Sequence, residues 1–152
     1  MEGVYPYVKF VHVVLAIIAV GFNASYGIWL ARAAREPEHL GHVLRGIKIL
    51  DDRVANPAYG LLFLTGAVNV LISGVPFTTP WIAGGIALWA VAIIVGLAVY
   101  TPTLRRQIAV LDASGPRSEE FARLSARGRV VGIALGVVVL AIVFLMVVKP
   151  GA

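Results

Sequence analysis

Of the three histidines in this chain, His12 alone sits inside a long apolar run, and it is the residue best suited to chemistry. An imidazole can ligate haem iron or copper, relay a proton, or simply hydrogen-bond a neighbour. The other two, His39 and His42, stand three residues apart in a charged stretch. Two metal ligands could use that spacing. With no cysteine in the chain and no third ligand nearby, solvated histidines are the better reading. Asp51 and Asp52 precede the second apolar run and read as solvated or cap-like charges at its start. No nucleophile–base pair, phosphate-cradling loop or carboxylate dyad stands out, which points away from hydrolytic and phosphoryl-transfer enzymes.

The run that holds His12, Tyr7 to Leu30, carries one charge, Lys9, and no proline. At about 1.5 Å of rise per residue it is long enough to cross a hydrocarbon core of about 30 Å. His12, Ala16, Ala19, Asn23 and Gly27 recur at spacings of four and three, so they share one small, partly polar face. Lipid offers a polar group no partner, so that face belongs against other helices. Apolar runs at 54–73, 81–100 and 130–148 follow the one at 7–30. Composition agrees, with 59% hydrophobic and 14% charged residues, against about 25% charged in soluble domains. The expected fold is an all-α integral membrane four-helix bundle, one domain over 1–152. A cleaved signal peptide is the weaker reading of the first run. It exceeds the usual apolar length, and a charged loop follows where a cleavage site should be.

Two charged loops, 31–53 and 103–129, separate the runs. In the first, Leu40, Val43, Leu44, Ile47 and Leu50 recur with helical spacing and predict a short amphipathic helix on the membrane surface. In the second, DASGP marks a turn, and SEEFARLSARGR runs from acids to arginines, which suits a helix dipole. All of the 13 lysines and arginines except Lys9 and Lys149 lie in these loops. The positive-inside rule then places both loops in the cytoplasm and both termini outside a multi-pass cell-membrane protein. The net charge of +5 accordingly reads as a topology signal and an attraction for anionic membrane lipids, with no call for nucleic acid.

Depth can be counted along the first two spans, taken as antiparallel neighbours. His12 below Tyr7 and Asn69 below Gly74 come out level, and Asn23 and Tyr59 come out level deeper in, with Thr65 between the layers. Asn23 and Tyr59 suit an interhelical hydrogen bond worth about 0.6–2 kcal/mol. For His12 three readings stay open: a hydrogen bond to Asn69 or a carbonyl, a haem or metal ligand, or proton transfer. The spans contain no second histidine, so a haem would need a weaker ligand, an open site or a second copy of the chain. Lys9, one turn above, suits a propionate or phosphate, or simply snorkels to headgroups. Gly128, Gly132 and Gly136 recur every four residues as a packing ridge for another helix, within the bundle or in a homo-oligomer.

The stretches KFVHVVLAIIAVG, HVLRGIKILDDRVANPA, FLTGAVNVL, TPW, QIAVLD and FLMVVKP together resemble the small integral membrane proteins of domain-of-unknown-function family 2269. The likeness runs in order through nearly the whole chain and implies four spans with no established activity. Two positions depart from the pattern: Arg53 follows Asp52, and Phe63-Leu64 precede Thr65. More distantly, a histidine followed by a glycine in the first span is similar to CopD-type copper proteins and to HemJ, a haem-pathway membrane oxidase. Only His12 maps from that comparison. Three functions follow as expectations. The first is a non-enzymatic membrane subunit or scaffold. The second is a haem- or copper-dependent redox protein with His12, and with Asn69 and Lys9 near the ligand. The third is a small dimeric transporter, for which the spans lack the carboxylate that couples protons.

Overall fold

The computed structural model describes residues 3–151. It contains six α-helices: α1 Tyr5–Ala33, α2 Pro37–Leu50, α3 Asn56–Ser73, α4 Pro80–Val95, α5 Thr101–Ser114 and α6 Glu119–Val148. Among the described residues there is no strand. Single π-helical turns, Asp51–Ala55 and Gly96–Tyr100, join α2 to α3 and α4 to α5, so each pair forms one continuous rod. Both turns have the same cause. Each runs up to a dipeptide with proline in second place, Asn56-Pro57 and Thr101-Pro102. Proline has no N–H to donate, and its ring clashes with the carbonyl four residues back. Widening the turn by one residue re-routes the bonds: Asn56 donates to Asp51, and Thr101 to Gly96, each five residues away. The chain therefore keeps its helical course through both prolines.

Four helical rods result, each long and apolar enough to cross a membrane: Tyr5–Ala33, Pro37–Ser73, Pro80–Ser114 and Glu119–Val148. Packing is pairwise, with α1 on α3, α4 on α6, and α6 also against α1. The stretches expected as loops are mostly helical. α2 and α5 extend beyond the apolar runs and pack on each other, on α1 and on the first turns of α6. The amphipathic pattern of α2 is present, but its apolar stripe meets protein instead of the membrane surface: Leu40, Leu44 and Ile47 are buried. They join Tyr26, Ala33, Leu104 and Phe121 in one cluster. We call this end of the molecule the charged end. Polar links fasten it. Arg45 donates to Asp112 (3.1 Å), Arg106 to Glu120 (2.7 Å), and the buried Gln107 to Ser125 (2.8 Å). Ser118 caps α6 by accepting from the Phe121 amide.

The opposite, hairpin end turns at Gly74, whose φ of 69° is the left-handed conformation that only glycine adopts without cost. Along the spans the outward faces are apolar and open, as Ile17, Ile28, Leu71, Ile94, Ile133 and Leu140 show.

Candidate functional site

Three polar layers run through the bundle, two between α1 and α3 and one where the first π-turn meets α5. Nearest the hairpin end is His12. Its Nδ1 lies 2.9 Å from Thr65 Oγ1, and the Leu61 carbonyl lies 2.8 Å from the same hydroxyl. A threonine hydrogen given to a carbonyl leaves the oxygen to accept from Nδ1–H, and a threonine hydrogen given to Nδ1 reverses the roles; the contact joins the two helices in either tautomer. Gly66 makes the close approach possible. A Cβ there would stand 3.2 Å from the imidazole Cε1, tighter than side chains normally pack.

The bond that depth counting assigned to Asn69 thus goes to Thr65, one turn deeper. Part of the reason is where α1 starts. Pro6 in its first turn lets the helix begin at Tyr5, two residues before the assumed boundary, and the same count from Gly74 then reaches Ala67, closer to Thr65. Asn69 keeps the same face of α3, one turn along, and its buried Oδ1 has no hydrogen-bond partner among the described residues. Lys9 is exposed, with its ammonium 5.8 Å from the Tyr5 ring centre, a cation–π contact at the bundle's rim. His39 and His42 are exposed, and among the described residues no group of three or more His, Asp or Glu could hold a metal ion.

In the middle layer the Asn23 amide donates to the Tyr59 hydroxyl (3.0 Å) and to the Ala19 carbonyl (2.9 Å). Trp89 reaches across from α4 and donates its indole N–H to the Tyr59 carbonyl (3.2 Å), with its ring stacked on Phe63. One tyrosine therefore ties together the first three spans.

The third layer was not expected. Asp51, read from the sequence as a solvated or cap-like charge, is only 5% exposed. It opens the first π-turn, and Thr101, which follows the second, donates to its Oδ2 (3.0 Å). The Asn56 amide approaches the same oxygen (3.4 Å). The phenols of Tyr26, Tyr59 and Tyr100 all lie within electrostatic reach of this carboxylate. Asp52 points away and pairs with Lys48. The transporter reading was ranked low for want of a buried carboxylate, and Asp51 supplies one. A signal for it exists in the sequence. Leu40, Leu44, Ile47 and Asp51 continue one stripe at spacings of four, three and four, which carries the carboxylate onto the buried face.

The glycine ridge of α6 makes no close backbone approach within the chain. Gly128 and Gly132 sit at ordinary contact distance from Thr103 and Tyr100, and nothing lies within 4 Å of a Cβ at Gly136. Besides Gly66 on α3, tight glycines between helices lie on α4, where a Cβ at Gly84 would stand 3.2 Å from Leu145 and Gly85 lies beneath Met146.

Continuous apolar helices, outward faces of bare hydrocarbon and inward polar pairs define the class: an all-α integral membrane protein with four helices fit to span. The chain belongs to the DUF2269 family, whose description is "predicted integral membrane protein" and whose pattern matches residues 6–150. Neither a curated protein nor a solved structure matches the chain, so the likeness of its first span to CopD-type proteins and HemJ gains no support from these comparisons.

Proposed function

We propose that this chain works as a non-enzymatic subunit or scaffold of the cell membrane, with both termini outside and the charged end in the cytoplasm. One observation carries the reading. The polar side chains within the spans join one helix to another: His12 to Thr65, Asn23 to Tyr59, and Trp89 to the Tyr59 carbonyl. Such bonds specify which helices meet and at what register, the service a polar group renders in lipid. The orientation rests on the charged end carrying nearly all the lysines and arginines. Reporter fusions at Gly115 and after Ala152 should report opposite compartments, cytoplasmic for the first. Equal signals would refute the arrangement.

A second reading has its own support in the contact between His12 Nδ1 and Thr65. A ligating histidine keeps its other N–H on a nearby acceptor, which fixes the ring and raises the basicity of the ligating nitrogen. Thr65 Oγ1 is placed to serve as that acceptor, and Asn69 stands one turn along the same face. In this reading Nε2 of His12 holds haem iron or copper. An absorption spectrum and metal analysis of detergent-purified protein separate the two. The scaffold reading expects neither a Soret band nor stoichiometric copper. A Soret band or bound copper that disappears in His12→Ala would replace it with the second reading.

A further inference from the structure

Asp51 has no lysine, arginine or histidine within ion-pair distance among the described residues. The nearest basic group, Lys48 on its own helix, is engaged by Asp52. The hydrogen-bond partners of the carboxylate are neutral, the Thr101 hydroxyl and the Asn56 amide, while the phenols of Tyr26, Tyr59 and Tyr100 and the charges of Asp52 and Lys48 lie within electrostatic reach. A carboxylate taken out of water is costly unless a positive charge accompanies it. Lys48 lies within electrostatic reach, but its ammonium is paired with Asp52 and forms no ion pair with Asp51.

A second observation falls at the same place. Tyr26 is 3% exposed, and its buried hydroxyl, within electrostatic reach of Asp51, has no hydrogen-bond partner among the described residues. Thr101 and Asn56 both engage Oδ2, which leaves Oδ1 as the oxygen open to a further ligand. We propose that Asp51 and Tyr26, framed by Thr101 and Asn56 between the two π-turns, form a binding site for one small monovalent cation, H⁺ or Na⁺. A proton would reside on Oδ1 and be donated to the Tyr26 oxygen. A sodium ion would take carboxylate and hydroxyl oxygens, the ligands hard cations prefer. Either supplies the missing charge without calling for a large cavity. The π-turns fit such a role, since these local widenings of a helix recur at functional sites. The site is independent of His12 and goes beyond the scaffold reading.

Thermal unfolding of the full chain in detergent tests this. Wild type and Asp51→Asn are compared between about pH 8 and about pH 5, then at fixed pH with sodium chloride exchanged for choline chloride at constant ionic strength. The groups within electrostatic reach of Asp51, among them Lys48, Asp52 and the three phenols, are common to both proteins. Loading should raise the wild-type Tm by roughly 5 °C, and Asp51→Asn should lack that response. A rise with sodium at fixed pH identifies Na⁺. A rise on acidification without sodium identifies H⁺. Tyr26→Phe, which keeps the ring and removes the hydroxyl, should shift the loading midpoint by about tenfold. Identical responses in wild type and Asp51→Asn overturn the proposal. Should Asp51→Asn not fold, an unmoved midpoint in Tyr26→Phe overturns it instead.

Discussion

The two ends of this bundle are built from the same four rods yet held together by different means. At the charged end Leu44, Ile47, Leu104, Phe121 and Tyr26 bury large side chains in one cluster. Along the spans the same rods meet through Ala19, Gly66, Gly84 and Gly85, with single hydrogen bonds between them. The solvent explains the contrast. Where water surrounds the charged loops, removing apolar surface from it stabilises a core. In hydrocarbon a leucine gains nothing by leaving lipid for protein, so contact depends on close approach and on polar groups finding partners. The charged end therefore packs like the core of a water-soluble helical protein and the spans like a membrane bundle, with Asp51 buried where the two kinds of packing meet.

That comparison can be broken most decisively at Leu44, which is 0% exposed. Leu44→Ala should cost about 2–5 kcal/mol, the range for emptying a packed core, and should lower the Tm accordingly. A loss no larger than that of a span mutant would mean the charged end is no real core. Next in size is Asn23→Leu, which removes the bond to Tyr59 and should cost about 0.6–2 kcal/mol in detergent unfolding. Thr65→Val keeps the shape but deprives His12 of its partner, and about 0.6 kcal/mol is expected. The smallest effect belongs to Gly136→Ala, which meets open space within the chain and should stay within about 0.5 kcal/mol. If Gly136→Leu changes the oligomer size on gel filtration, a second copy covers that face. No change would leave it to lipid.

Much of this arrangement can be traced to particular residues in the sequence. Four long runs almost free of charge could only be membrane-crossing helices, since an unpaired backbone cannot lie in lipid. The periodic faces of His12, Asn23 and Leu44 are legible for the same reason, because helical spacing is a local property. Even the π-turns have local causes in Pro57 and Pro102, although the sequence reading placed one at the boundary of the first charged loop and the other inside the third apolar run. What local pattern could not supply was the relation between rods. The partner of His12 is Thr65, four positions from Asn69, because the register of α1 on α3 is set by how the two helices pack. Whether the apolar stripe of α2 lay on a membrane or on protein depended on α1 and α5 closing over it. Asp51 followed that stripe inward and met Thr101, fifty positions away in the chain. The sequence by itself determined that the helices span and which faces carry polar groups, because turns and hydropathy are set residue by residue. The tertiary structure alone decided which polar groups meet, because register and burial belong to pairs of helices.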